Sequence, residues 1–208
     1  RGLGDVYKRQ VVSGCSFYSL LVQNSTVINV HKNQFINPAG MGNPSLQLST
    51  IMKATFSENV ISDATRSGME ASEVDTLLMT DNDIISNNGT GCNVGGSSFI
   101  QMMRNEFHGN SNGVTLNSCD SLIVDNNTFS GNLAGGLMLN TAGNCQISNN
   151  FFIENRRVGV QIDYTDTCRV ENNYIADNGY GYLTSSPSGQ ILRQNTIQNN
   201  ELYGAYNY

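Results

Sequence analysis

Hydrophobic positions along the chain recur in step with an asparagine. It stands at Asn33, Asn59, Asn82, Asn105, Asn127, Asn150, Asn173 and Asn195, at spacings of 26, 23, 23, 22, 23, 23 and 22 residues. Two places after it the residue is always apolar: Phe35, Ile61, Ile84, Phe107, Phe129, Phe152, Ile175 and Ile197. Three places before it the residue is again apolar in every case: Val30, Phe56, Met79, Met102, Val124, Ile147, Val170 and Leu192. Five places before it stand Ile28, Ala54, Leu77, Ile100, Leu122, Cys145, Cys168 and Gln190, with mixed residues in between. Apolar, variable, apolar is the period of a strand with one buried face. A period of this length marks a solenoid whose repeats stack only on their neighbours.

A second apolar run opens behind a glycine in the later repeats, as in Gly113-Val114-Thr115-Leu116, Gly136-Leu137-Met138-Leu139 and Gly159-Val160-Gln161-Ile162. No segment has helical periodicity. Short strands and tight turns repeated in this way predict a parallel β-helix of about eight to nine coils of 22–23 residues. Asparagine tolerates left-handed backbone at a sharp corner. Its amide can also bond up and down a column of stacked coils. A second column lies five residues on, at Asn87, Asn110, Asn132, Asn155, Asn178 and Asn200. These asparagines are expected to serve the scaffold rather than a ligand.

The lines Asn105-Glu-Phe-His-Gly-Asn-Ser-Asn-Gly113-Val and Asn127-Thr-Phe-Ser-Gly-Asn132 resemble the Asn-x-Ile-x-x-Asn-x-x-Gly repeat of the right-handed, single-stranded parallel β-helix superfamily. That group includes pectate lyases, polygalacturonases, alginate lyases and epimerases, phage tailspikes and NosD-like modules. The resemblance covers residues 11–208 and implies a secreted, periplasmic or cell-surface protein associated with carbohydrate. Sequons at Asn24, Asn88 and Asn126 agree weakly with that location. Residues 1–10 lack the repeat and are set apart as a non-native or unstructured end segment; the helix is expected to be uncapped at both ends, with flanking domains beyond them. The oligomeric state is left open. The Asn-Thr-Asp and Gly-His-Gly signatures of polygalacturonases and the Asp-Pro-His-Asp of alginate epimerases are absent.

Charged residues make up 13% of the chain and the net charge is −6, which argues against nucleic acid as a partner. No apolar run is long enough for a spanning helix. The five cysteines have no C-x-x-C spacing and imply no metal motif. Cys145 and Cys168 share a position in consecutive coils, and a buried pair of thiols is favoured over a bridge because in-register Cβ vectors run alongside each other. His31 and His108 read as surface or corner residues. Phe151 and Tyr174 are outward neighbours, expected to stack on each other rather than on a sugar.

Chemistry is therefore sought on the outward columns. Ten residues before the ladder asparagine stand Ser72, Gly95, Asn117, Asn140, Asp163 and Ser185; twelve before it stand Glu70, Asn93, Thr115, Met138, Gln161 and Leu183. The richest point is Asp163-Tyr164-Thr165-Asp166, flanked by Arg157 and Arg169. Asp163, Asp166 and Arg169 are the candidate catalytic groups, two carboxylates for acid–base work and a guanidinium to orient an acidic sugar. Asn117, Asn140, Gln161, Tyr164 and Arg157 are the candidate substrate contacts. The expected partner is polysaccharide, with acidic polymers favoured. No resident cofactor is expected, although Ca²⁺ would belong with lyase chemistry on a uronate. Three functions stay open: a polysaccharide-binding or -processing module, a lyase, hydrolase or C5-epimerase, and a structural rod. An enzyme usually grows long loops over one face, and the only interruption, Ile36–Gln47, adds three residues.

Overall fold

The computed structural model describes residues 5–36, 42–165, 167–185 and 189–208. Part of the interruption, 37–41, and the candidate Asp166 lie outside them. Every strand pairing is parallel and follows the coil spacing of the sequence, as in Ile100↔Leu122↔Cys145↔Cys168↔Gln190. The strands form two sheets, one of 13 strands and one of nine, so the chain is a parallel β-helix.

The larger sheet is built from long, bent strands. Met69–Thr80, Val114–Asp125 and Gly135–Ser148 each join the run behind the glycine to the run before the ladder asparagine. What the sequence presents as two strands is therefore one strand through a bend in these coils. Elsewhere the bend separates them, as between Val158–Asp163 and Thr167–Glu171. The smaller sheet is made of three-residue strands such as Thr128–Ser130, centred on the apolar residue two places past the ladder asparagine. That third side of the coil was marked in the sequence only by its buried residue.

The interior follows the expected register. Leu122, Val124, Phe129, Ile147, Phe152 and Val170 are all buried. The rings of Phe107, Phe129 and Phe152 stack in adjacent coils, with centroids 5.1 and 4.7 Å apart. Each ring removes a large apolar area from water and meets a like ring at stacking distance.

Both asparagine columns are bonded along their length and buried as far as Asn173 and Asn178. The Asn127 backbone N–H donates to Asn150 Oδ1 at 2.8 Å, and its side-chain amide donates to the same oxygen and to the Met102 carbonyl. Asn132 and Asn155 repeat the arrangement in the second column. Each side chain thus satisfies corner groups of the coils on either side, which would otherwise be buried without partners.

Left-handed backbone is not carried by the ladder asparagines. It falls on the residue before each one, including Asp81 (φ 55°), Arg104 (φ 53°), Asn126 (φ 55°), Asn149 (φ 56°) and Asn172 (φ 57°). The ladder position is selected for its amide, and its neighbour takes the strained conformation. The glycine at the start of the long-strand run in the coils from Gly68 onward is set by close approach: a Cβ on Gly136 would lie 2.6 Å from the Gly159 carbonyl oxygen of the next coil.

Two further expectations are corrected. Asp5–Lys8 form a strand paired with Leu20–His31, and the Gln10 N–H donates to Asn33 Oδ1, so part of the segment set apart from the helix continues it. Cys145 and Cys168 are joined by a disulfide. Their Cα atoms are 4.5 Å apart, inside the range that a bridge spans, and side-chain rotation closes the gap that parallel Cβ vectors leave.

Candidate functional site

The outward columns of the long strands form one continuous surface. The pairings Ser72↔Gly95, Gly95↔Asn117, Asn117↔Asn140 and Asn140↔Asp163 place the ten-before column in a line across five coils. Beside it run Glu70, Asn93, Thr115, Met138 and Gln161. Two concavities lie along this line. One, of about 280 Å³, is lined by Asn117, Met138, Asn140, Gln161, Asp163 and Tyr164 among others. The other, of about 210 Å³, involves Glu70, Ser72, Asn93 and again Asn117. Asn117 belongs to both, so they are two stretches of one groove.

The groove displays amides and hydroxyls whose hydrogen-bonding capacity is not needed by the backbone, since the strands already pair on both sides. It holds two carboxylates and no Lys or Arg among the residues lining it. Asp163 is held in place: its Oδ2 accepts from Gln161 Nε2 at 2.6 Å, and its Oδ1 accepts from the Ser185 N–H at 2.9 Å and hydroxyl at 2.6 Å. The Tyr208 hydroxyl lies 3.5 Å from the same oxygen. Beneath, burial and, less strongly, the Asp163 charge push the Tyr182 phenol up, against an opposing bond with Thr184, so it stays protonated at neutral pH.

The structure brings Asn117, Asn140, Gln161, Asp163 and Tyr164 together. It sets Arg169 apart. The chain bends through left-handed backbone at Tyr164 (φ 49°), and Arg169, beyond the bend, lines a separate concavity of about 280 Å³ with Asn144, Gln146 and Thr167. Arg157 is exposed and precedes Val158–Asp163. Glu70 and Asp163 stand in neighbouring columns four coils apart, roughly 19 Å along the axis at the usual strand spacing. A glycosidase pair needs about 5–9.5 Å, so these two carboxylates cannot act on one bond. The other candidate carboxylate, Asp166, lies outside the described residues.

Counting back from ladder asparagines left Tyr206 and Tyr208 out of the outward columns, because no ladder asparagine follows the last strand, Tyr203–Asn207. Tyr206 pairs with Leu183 and continues its column; the Tyr208 N–H donates to the Thr184 carbonyl. Adding the period to Leu183 and Ser185 would have found both tyrosines. Phe151 and Tyr174 face each other outside the smaller sheet, tilted, with centroids 6.0 Å apart.

Among the described residues no three His, Cys, Asp or Glu side chains converge on a point that could hold a metal ion. His31 Nδ1 lies 2.9 Å from the Ser57 hydroxyl and His108 Nδ1 3.0 Å from that of Ser130, each bonded along its own column. The buried Cys92 thiol donates to the Met79 sulfur at 3.8 Å, and burial, with a smaller contribution from Cys119, pushes that thiol up and keeps it protonated. No helix in the described residues is long and apolar enough to cross a membrane.

Among solved structures, the chain is similar to a mutant of the periplasmic alginate epimerase AlgG at TM-score 0.72 and 17% identity, covering 88% of this chain and 50% of that one. It is also similar to the A-modules of the Azotobacter vinelandii mannuronan C-5 epimerases AlgE6 (TM-score 0.64, 15% identity, 99% and 79% covered) and AlgE4 (0.56, 14%, 100% and 80%). At these identities the likeness is one of fold, and the chain spans about half the length of AlgG. No curated protein sequence matches it. The family model described as "Periplasmic copper-binding protein (NosD)" matches residues 45–208, and with most of its length so covered the chain belongs to the NosD family.

Proposed function

We propose that the outer face of the long strands binds polysaccharide, lying along the helix axis from Glu70 to Asp163, in a periplasmic or secreted setting. The carrying observation is the groove itself: two concavities joined at Asn117 and lined by amides and hydroxyls over five coils. Coils repeat at about 4.8 Å, so an extended sugar chain meets a new set of donors and acceptors at nearly every unit. Carbohydrate-acting structural neighbours and a periplasmic family support the same setting. Among the described residues lining the Asp163 end there is no Lys or Arg, which favours uncharged sugars at that end because a uronate would meet Asp163 without a counter-charge; at the other end Arg66 pairs with Glu70 at 3.7 Å.

The test is retardation of the chain in gels containing neutral or acidic polymers, with Asn117→Ala, Asn140→Ala and Gln161→Ala combined. Retardation by at least one polymer that the triple variant loses supports the groove. Equal retardation of both proteins places binding elsewhere. No retardation by any polymer favours a structural rod.

A processing reading rests on the alginate epimerases among the neighbours. In that reading Asp163 and Asp166 serve as acid and base on a uronate, without Arg169, which lines a separate concavity. Its measurement is solvent-deuterium uptake at C5 and ultraviolet-absorbing unsaturated product from alginate or pectate. Uptake that survives Asp163→Asn and Asp166→Asn would place the chemistry at other residues.

A further inference from the structure

In the outward column that runs along the groove, one residue has no side chain. From coil to coil the column reads Ser49, Ser72, Gly95, Asn117, Asn140 and Asp163, in register throughout. Glycine weakens a strand, because the unfolded chain has more freedom to lose and no side chain is gained for packing. At other glycines of this protein the reason is visible. A Cβ on Gly113 or Gly136 would come within 2.5 or 2.6 Å of a carbonyl oxygen in the next coil, and Gly96 takes left-handed backbone at φ 65°. Neither reason applies to Gly95. It is not among the left-handed residues, and a Cβ there would meet nothing nearer than the Asn117 carbonyl oxygen, at 3.8 Å. Serine, asparagine and aspartate all hold the same position in other coils. The fold itself does not ask for glycine at 95.

What the glycine leaves is a gap in the floor of the groove. Gly95 closes the strand Cys92–Gly95, is half-buried, and lines the concavity of about 210 Å³. Its column neighbours Ser72 and Asn117 lie two strand spacings apart, about 9.6 Å. Gln47, Glu70 and Asn93, in register with one another, line the same concavity from the adjoining column. We propose that this gap is a subsite for the exocyclic hydroxymethyl group of a hexose unit, and that Gly95 sets the preference of the groove for hexoses over pentoses. This deepens the polysaccharide reading and rests on it. A strand glycine without a conformational or packing cause marks the close approach of another molecule. A ring hydroxyl carries one heavy atom, whereas a hydroxymethyl carries two and projects further toward the strand backbone. Its hydroxyl can accept from the amides of Gln47, Asn93 or Asn117 and donate to the Glu70 carboxylate, which only accepts. Arg66 lies 3.7 Å from Glu70 Oε1, and Oε2 is left for that bond. A sugar carboxylate in the same place could not donate to it.

The experiment is a calorimetric titration of the chain with cellohexaose and with xylohexaose, β-1,4-linked sugars that differ in the hydroxymethyl group. The unaltered chain should bind cellohexaose about tenfold more tightly. Gly95→Asn, which gives the column the residue already at Asn117 and Asn140, should bring cellohexaose down to the level of xylohexaose. Xylohexaose itself should stay within about twofold, because it leaves the gap empty. Gly95→Ser, matching Ser72, should act in the same direction and serves should the asparagine variant fold poorly. Neither variant should melt below the unaltered chain, since the position has room for a side chain. Lower stability in both would show that the fold needs the glycine and would overturn the subsite. Unchanged or tighter cellohexaose binding by Gly95→Asn also overturns it, because an amide there would merely extend the column. Equal loss of both sugars overturns it by assigning the gap to the sugar ring. Equal binding, or no binding, of the two sugars by the unaltered chain overturns the subsite too, and leaves the groove standing if a polymer is still retarded and the triple variant loses it. No retardation by any polymer removes the groove reading and this subsite together.

Discussion

At Asn126 and again at Ser118 the chain of one coil passes through left-handed backbone, with φ of 55° and 53°. The two bends are handled differently. Next to the first stands Asn127, whose side chain bonds the coils on both sides, and asparagine stands there in each coil from Asn33 to Asn195, with Gln10 at the position before them. The second bend has no ladder. Its column reads Asn24, Thr50, Glu73, Gly96, Ser118, Thr141 and Tyr164, all left-handed and differing in charge, size and hydrogen-bonding character. Stacking selects one residue at the ladder bend because each amide must match the next. At the groove bend the backbone is the only shared demand, and the side chains that point outward from it are free to differ. Uniform columns hold this helix together, and the column that varies lies beside the groove.

The sharpest way to break the comparison is to attack what both bends depend on. Phe129 stacks between Phe107 and Phe152, and Phe129→Ala should cost about 3–5 kcal/mol of unfolding free energy. Urea denaturation measures this directly. A loss under 1 kcal/mol would mean that the stacked core collapses around the gap and does not fix the coils.

The ladder comes next. Asn150→Ala removes the acceptor for the Asn127 N–H and amide and the donor to the Val124 carbonyl, all buried. A cost of about 1–3 kcal/mol is expected, read as a lowered denaturation midpoint. An unchanged midpoint would reduce the ladder to a consequence of the fold rather than a cause.

The fold was legible because its information is periodic. A buried apolar residue at a fixed offset and an amide that must meet its own kind repeat eight times, so chance agreement averages out. The outward columns were legible for the same reason, since register alone places Asn117, Asn140 and Asp163 in a line. What was not legible lies where the period gives no guidance. The left-handed residue turned out to be Asn126 rather than Asn127, because either neighbour of a corner can take the strain. The bridge between Cys145 and Cys168 depends on side-chain rotation, which spacing does not encode. Asp163 and Arg169 are six residues apart and look like one cluster, yet the bend at Tyr164 sends them to separate concavities. Tyr206 was overlooked because it has no ladder asparagine after it from which to count.

The smallest expected effect tests the groove bend, and it has the opposite sign. Thr141 is exposed and left-handed at φ 58°, a conformation that a β-branched residue rarely takes. Its side chain makes one long hydrogen bond, at 3.3 Å, to Asn140 Oδ1. Glycine adopts this backbone freely, as Gly96 does in the same column two coils away at φ 65°. Relief of about 1–2 kcal/mol of left-handed strain is partly offset by the greater freedom that glycine has in the unfolded chain. Thr141→Gly should therefore stabilise the protein by about 0.5–1 kcal/mol, seen as a higher melting temperature. If that gain comes with weaker retention on a polysaccharide gel, the strained residue is kept for the surface it presents to the groove. A Thr141→Gly protein less stable than its parent would show that the groove bend is held by contacts as specific as those of the ladder, and the contrast between the two bends would fail.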